Sequence, residues 1–200
     1  MSDASQDTAG RIISGLRSAN RAVATVLGLV LAATVIFVIV DVTMRQISHS
    51  LGGSDEISGY VMAVLASWGL AVALAENAHV RIDLLRQGLA PRGRALMDVI
   101  ALLSLTGVAL LVAWQAWPVL GKTLERGSRA NTPLETPLWI PQGLWFGGWL
   151  WFAITAVLTA IAAILLLMRR DWPGIETSIG MVNEGDEALA EAHRRDGAQS

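Results

Sequence analysis

Four long uncharged stretches run along the chain, and short charged clusters separate them. They comprise residues 22–40, 57–75, 99–120 and 144–168, and they hold 19, 19, 22 and 25 residues. About 20 apolar residues in a helix cross a hydrocarbon core near 30 Å thick. A large soluble protein can bury such helices, but four of them in 200 residues leave no polar surface to cover them. The pattern therefore predicts an all-α integral membrane protein with four transmembrane helices.

The flanking residues suggest where the membrane domain begins and ends. We place the spans at about 22–45, 57–75, 97–120 and 144–168, within a membrane domain of residues 22–170. The first stretch is longer than the apolar segment of a signal peptide, and no small-residue cleavage site follows it, so we expect an uncleaved span. Residues 1–21 form a cytoplasmic tail, whose weakly amphipathic part we expect on the inner membrane surface. Residues 171–200 are polar, and we expect a mobile cytoplasmic tail.

The distribution of positive charge predicts the orientation, because arginine and lysine near the spans stay in the cytoplasm. Nine lie near the spans on one side, at positions 11, 17, 21, 81, 86, 92, 94, 169 and 170, and four on the other, at 45, 122, 126 and 129. Both ends are therefore expected in the cytoplasm (N-in/C-in). The connection between helices 2 and 3 mixes apolar and charged residues, so we expect an interfacial cytoplasmic segment there.

Composition narrows the function classes. Only 16% of the residues are charged, against about 25% in a typical soluble domain. The net charge of −2 excludes a strongly basic nucleic-acid footprint. The absence of cysteine removes disulfides, thiolate metal sites and cysteine nucleophiles. We therefore expect membrane lipids, and no nucleic acid, among the partners.

The spans offer little chemistry of their own. Ionisable groups inside a membrane are costly and usually functional, and the four stretches contain none. His49, His79 and His193 all lie outside them, which argues against axial haem ligands. A membrane enzyme or a self-contained channel would need polar groups at membrane depth. We therefore expect no enzyme activity, catalytic residue, cofactor or metal site, and the chain has the character of a scaffold.

Polar residues at the ends of the first two spans suggest local contacts. Asp41 and Arg45 are four residues apart, which favours an ion pair on one helix face. That pair is either a local contact at the interface or a contact to a partner subunit. Ser54 is a suitable N-cap for the second helix, and Asp55 and Glu56 then fall in its first turn, where negative charge suits the helix dipole.

Small and aromatic residues within the spans suggest packing surfaces. Trp68 lies mid-span, and such a residue packs against a helix or lipid more often than it binds a ligand. Small residues that allow close approach occur in span two at Gly59, Ala63, Ala66, Ser67 and Ala73, and in span four at Gly147, Gly148 and Ala153. We expect span two and its flanks to contact a partner, and Val112 in span three to face lipid.

Three patches together resemble a known family. The first is the string from Gly53 through Ser54 and Glu56 to Tyr60. The second follows span two from Trp68 to Glu76 and then His79-Val80-Arg81-Ile82-Asp83. The third is Thr136-Pro137-Leu138-Trp139-Ile140-Pro141 before span four. Over roughly residues 20–170, the chain resembles the small permease subunit (DctQ-like) of tripartite ATP-independent periplasmic (TRAP) transporters.

The resemblance implies a transport role in the bacterial inner membrane without a reaction of its own. A large permease subunit would carry an organic acid, such as a dicarboxylate or a sialic acid, by symport with sodium. A periplasmic solute-binding protein would capture the acid and dock on the outer face, while the small subunit scaffolds the large one. The alternative is a four-helix anchoring or assembly protein with no transport role.

We assign interface or structural roles to the residues of these patches. Arg81, Asp83 and Glu76 would form an ion-pair cluster at the cytoplasmic interface, and Pro137 and Pro141 would set the angle at which span four begins. Arg86, Arg92 and Arg94 would contact anionic lipid head groups, or would simply form a positive cytoplasmic loop. The family-motif or interface set is Gly53, Ser54, Glu56, Trp68, Glu76, His79, Arg81, Asp83, Pro137 and Pro141.

Overall fold

A computed structural model describes residues 3–47, 49, 52–76, 90–132 and 134–169, with positions 3–8 and 91 described for the backbone only. Within these residues the fold consists of four helices and no strand. They are α1 (Asp3–Gln46), α2 (Ser54–Ala75), α3 (Pro91–Arg126) and α4 (Trp139–Met168). All four are long and apolar enough to cross a membrane. The prediction of a four-span, all-α membrane protein is therefore confirmed.

The part of α1 that precedes the first span differs from our expectation of a separate segment on the membrane surface. It has 44 residues, which gives a length of about 66 Å, roughly twice the hydrocarbon core. No break separates the amphipathic part from the span, so this part is not a separate surface segment. Ala9, Leu16 and Asn20 are buried, and Ala9 belongs to the same apolar cluster as Leu74 of α2. The apolar side of this segment is therefore covered by the protein itself.

Helix α4 is the centre of the fold. It packs against α1, α2 and α3, and α2 also packs against α1. Its buried positions are mostly small, and they include Gly148, Ala153, Ala156, Ala160 and Ala163. Without a hydrophobic force between helices in lipid, close packing of small residues is what favours association. The composition of α4 therefore suits a helix that must approach three others.

The contact between α3 and α4 follows the same rule. Ala109 and Ala113 of α3 are buried in one cluster with Ala153 and Ala156 of α4. The hydroxyl of Thr106 donates to the carbonyl of Leu102 within α3 at 2.8 Å. It also lies 3.3 Å from the carbonyl oxygen of Ala156. The two backbones are therefore close enough for a side chain of three heavy atoms to join them.

The closest approach between α2 and α4 occurs at Gly148. A Cβ atom at this position would lie 2.6 Å from Cδ1 of Trp68 and 2.8 Å from Cβ of Ser67. The neighbouring Gly147 has more room, with 3.4 Å to Cζ2 of Trp68. Gly148 and Ala153 are buried within the chain, so our expectation that they offer a surface to a partner is wrong. The small size of Gly148 serves the internal α2–α4 contact, and Ala153 belongs to the buried core cluster.

We predict that Gly148→Leu separates α2 from α4 and destabilises the protein by about 1–3 kcal/mol, the usual cost of overpacking. Gly143→Leu is the matched control, because no heavy atom lies within 4 Å of a Cβ at Gly143. Thermal unfolding in detergent, followed by circular dichroism, measures both. Equal unfolding temperatures for the two variants would contradict the assigned contact.

Candidate functional site

Five of the motif residues, Gly53, Ser54, Glu56, Pro137 and Pro141, lie where α1 ends, α2 begins and residues 127–138 join α3 to α4. We call this region the two-loop end. Its first component is a buried polar network. Arg45 Nη2 lies 2.7 Å from Oδ2 of Asp41 and donates to the Ser54 hydroxyl at 2.9 Å. The Ser54 hydroxyl donates to the same Asp41 oxygen at 2.6 Å. The predicted Asp41–Arg45 pair is confirmed, and it is a local contact that ties α1 to α2.

Burial makes this network more than a surface ion pair. Asp41 is fully buried and Ser54 nearly so, whereas the Arg45 side chain is 44% exposed. A buried carboxylate is costly unless charge and hydrogen bonds compensate it. Arg45 supplies the charge and Ser54 a second donor. Asp55 is 3.7 Å from Arg45 but almost fully exposed, so it contributes little.

The start of α2 differs from our prediction in one respect. The N-cap residue is Gly53, with φ 73°, and no side chain caps the helix. Ser54 is the first helical residue and not the N-cap, and its hydroxyl bonds to Asp41 and Arg45. The left-handed backbone of the cap explains the glycine, since residues with a Cβ rarely adopt it. Asp55 and Glu56 occupy the first turn, as predicted.

The second connection folds onto this helix start. The backbone amide of Ala130 donates to Thr136 at 2.9 Å, and that of Leu138 donates to Ser128 at 3.1 Å. These bonds form a narrow loop that presents Leu134 to Gly53. A Cβ on Gly53 would lie 2.7 Å from Cγ of Leu134. Gly53 is therefore needed both for its backbone angle and for the space that it leaves.

Glu56 and Tyr60 form the third component. The Tyr60 hydroxyl donates to Oε1 of Glu56 at 2.7 Å. The hydroxyls of Thr132 and Thr136, from the second connection, lie beside the same carboxylate. Glu56 therefore lies against residues 127–138, in addition to its favourable place at the helix start.

Two prolines of the third patch lie on either side of the first residue of α4. Pro137 is bridged to Arg129 in the narrow loop, two residues before the helix. Pro141 is the third residue of α4 and is buried. A proline in the first helical turn loses no hydrogen bond, because those amides have no partner within the helix. Their positions agree with the proposed role in starting α4, although the angle itself stays a prediction.

Trp68 joins α2 to the same segment of α4. Its indole Nε1 donates to the carbonyl of Leu144 at 2.9 Å, and its ring covers Gly147 and Gly148. The predicted packing against a helix is therefore observed, within this chain. The hydrogen bond explains why a tryptophan is accommodated at mid-span, where its polar N–H would otherwise be costly.

The second patch lies mostly outside the described residues. Glu76 is the exposed C-cap of α2, and its amide donates to Val72 at 3.0 Å. His79, Arg81, Asp83 and Arg86 fall between residues 77 and 89, which are not described. Arg92 is exposed and Arg94 half-exposed at the start of α3. The cytoplasmic ion-pair cluster and the head-group contacts therefore stay predictions.

Two buried polar residues were missed in the sequence. Asn20 is completely buried. Its amide donates to Leu16 at 3.0 Å, and its oxygen accepts from Nε1 of Trp151 at 3.1 Å. Asp98 is 3% exposed. Both lie immediately outside an uncharged stretch, so a search limited to those stretches could not find them. Their position one or two residues before an uncharged stretch was the available signal.

The arrangement holds the helices together. Among the described residues, no group of three histidine, aspartate or glutamate side chains could hold a metal ion. At the two-loop end, Asp41 bonds to Ser54 and Glu56 to Tyr60, and the four helices are long and apolar enough to cross a membrane. The fold therefore defines a multi-pass membrane protein whose polar residues connect structural elements.

The sequence comparisons identify the family. The model of the DctQ component of tripartite ATP-independent periplasmic transporters matches residues 34–170. The chain belongs to this family, as its three motif patches predicted. Neither a curated protein nor a solved structure matches the chain. The match begins within α1, so the amphipathic beginning of that helix lies outside it.

We predict that Asp41→Ala destabilises the protein by about 1–3 kcal/mol, because it leaves the buried Ser54 hydroxyl and the Arg45 guanidinium without their acceptor. The matched control is Asp55→Ala, which removes an exposed carboxylate from the same region and is expected to change stability by less than about 0.5 kcal/mol. Chemical or thermal unfolding in detergent measures the difference. A larger effect of the Asp55 variant would refute the assigned network.

Proposed function

We propose that this chain is the non-catalytic small membrane subunit of a TRAP-type secondary transporter. It would scaffold a large permease that takes up an organic acid, such as a dicarboxylate or a sialic acid, by symport with sodium. A periplasmic solute-binding protein would deliver the acid. The match to the DctQ family over residues 34–170 carries this proposal. Family membership gives the transporter class, and the finer roles rest on the physical arguments below.

The character of the spans supports a scaffolding role. A path for an ion or an anion needs polar groups at membrane depth to replace water. The hydroxyls of Thr34, Ser104 and Thr159 donate to backbone carbonyls of their own helices. Such bonds are the usual use of these residues in membrane helices. The described spans therefore offer hydrocarbon surface for other helices and lipid.

The orientation also belongs to this proposal. Both ends would lie in the cytoplasm, as the arginine and lysine distribution indicates. The two-loop end would then face the periplasm of a bacterium, with the chain in the inner membrane. In this orientation, the junction of α1, α2 and residues 127–138 would lie on the side where a soluble binding protein would deliver the substrate.

Reconstitution tests the function. In liposomes with a sodium gradient, we expect no organic-acid uptake by this chain alone, and uptake when the large permease and the binding protein are also present. Radiolabelled acid accumulation measures both cases. The control omits only this chain from the complete system. Uptake by the single chain would refute the scaffold role, and full uptake without it would favour the alternative of an anchoring protein with no transport role.

The interface with the large permease is expected on α2 and its flanks. Gly59 and Ala66 are exposed on this helix, and no heavy atom meets a Cβ built at Gly59. Ser67 is buried against α4 and is therefore removed from the expected surface. An exposed face with small residues lets another helix approach closely. This face of α2 is the surface that we propose for the large subunit.

We predict that Ala66→Trp weakens co-purification with the large permease, because a bulky ring prevents close helix approach. Val112, which we expected to face lipid, is half-buried and is unsuitable as a control. Val108→Trp replaces it, since Val108 is 55% exposed on α3. Pull-down from membranes measures the yield of complex. Loss of the complex in the Val108 variant with retention in the Ala66 variant would reverse the assignment of the faces.

A further inference from the structure

The apolar stretch of α4 is displaced along the bundle relative to that of α1. Asn20, two residues before the first uncharged stretch, accepts a hydrogen bond from Nε1 of Trp151 at 3.1 Å. Beyond Trp151, α4 continues away from the two-loop end with residues 152–168, which are 17 positions without a charge. A helix of this length measures about 26 Å. The apolar part of α4 therefore continues far beyond the level at which that of α1 has ended.

The contact between α2 and α4 gives the same displacement. Nε1 of Trp68 donates to the carbonyl of Leu144 at 2.9 Å. Beyond this contact, the uncharged stretch of α2 has 7 more residues, 69–75, whereas that of α4 has 24, 145–168. The difference between 24 and 7 is 17, the same number that follows Trp151. Two contacts on different helices therefore give one register for α4.

Tilting the bundle does not bring these stretches to one level. Packed helices lie about 10 Å apart, and transmembrane helices tilt by up to about 40°. Such a tilt shifts two neighbouring helices by about 8 Å relative to the membrane, a third of the displacement. The hydrocarbon around the protein must therefore extend further along α4 than along α1.

The exposed side chains on the α4 side agree with this requirement. Ile161, Ile164 and Met168 of α4 are exposed, and so are Ile100 and Leu103 of the neighbouring α3. A contiguous apolar surface of this kind is suited to contact with hydrocarbon and not with water. This side of the bundle therefore requires hydrocarbon up to the end of α4.

The α1 side carries positive charge instead. Ala9 belongs to the same buried cluster as Ala163 of α4, so the beginning of α1 accompanies the end of α4. The outer side of α1 carries Arg21, which is exposed, and Arg17, which is half-buried. Residues 8–40 of this helix include no acidic residue. A guanidinium in hydrocarbon is costly, and local thinning of the bilayer relieves this cost by bringing head groups and water to the charge.

We propose that phospholipid head groups bind the outer face of α1 at Arg17 and Arg21, at a level where α4 is still surrounded by hydrocarbon. The two arginines are four residues apart on one helix face, and guanidinium groups suit phosphate oxygens in geometry and charge. The leaflet opposite the two-loop end is then thinner along α1 than along α4. This contact is separate from the one predicted at Arg92 and Arg94. It depends neither on the transport function nor on which side of the membrane the chain ends lie.

Spin labels on single cysteines test the proposal, since the chain has no cysteine of its own. One label replaces Ser18 on the exposed face of α1, and another replaces the exposed Ile161 of α4. Measured from the contact between α1 and α4 at Trp151, Ser18 lies about 3 Å and Ile161 about 15 Å further from the two-loop end. In vesicles of phosphatidylethanolamine and phosphatidylglycerol, we expect a water-soluble nickel complex to relax the Ser18 label and dissolved oxygen to relax the Ile161 label. The label closer to the end of the bundle would thus be the one in hydrocarbon.

The lipid phosphate is identified by phosphorus electron–nuclear double resonance of the Ser18 label, in a buffer without phosphate. We expect a phosphorus signal that is lost when Arg17→Gln and Arg21→Gln are combined. Arg126→Gln is the matched control, because it removes an exposed arginine at the opposite end of the bundle, and it should keep the signal.

Three results would overturn the head-group contact. Oxygen relaxation of the Ser18 label would place α1 in hydrocarbon, and protection of this label from both reagents would indicate cover by protein. Nickel relaxation of the Ile161 label would show that the end of α4 lies in water. A phosphorus signal that persists in the double variant would overturn the assignment to Arg17 and Arg21.

Discussion

The rest of the fold depends on the close approach of α2 to α4 at Gly148. In lipid, helices gain nothing by leaving an apolar solvent for an apolar partner, so association requires backbones that come close together. Ser67 and Trp68 occupy the space that a side chain at Gly148 would need. The Trp68 indole then reaches the carbonyl of Leu144. One missing Cβ atom thus allows both the packing of the two helices and the hydrogen bond between them.

A second constraint acts where α1, α2 and residues 127–138 meet. Asp41, Arg45 and Ser54 join the first two helices through charge-assisted contacts, which are stronger than neutral hydrogen bonds. Leu134 packs on Gly53, and Glu56 lies beside Thr132 and Thr136. Polar contacts therefore tie the helix ends together at this junction, and the apolar helices continue from it into the membrane.

This division of the molecule agrees with membership of the DctQ family. Polar residues connect the helices at their ends, while large apolar surfaces remain uncovered along α1 and α3. Ile36 of α1 and Trp114 of α3 are 63% and 70% exposed. A subunit that works within a larger membrane assembly needs such surface for its partner and for lipid.

The sequence by itself determined the features that depend on local spacing. The length and hydropathy of the four stretches predicted the four helices, because the thickness of a bilayer sets the length of a span. The four-residue spacing of Asp41 and Arg45 predicted their ion pair, and the acidic residues of the first turn of α2 followed from the helix dipole. Only the tertiary structure decided which helix is central, why Gly53 rather than Ser54 caps α2, and that Gly148 and Ala153 pack internally. It also decided that the beginning of α1 is continuous with the first span and that its apolar side packs against the rest of the protein. These features depend on which surfaces meet across long separations in the chain, and a pattern of apolar residues does not distinguish a face covered by a neighbouring helix from one covered by lipid.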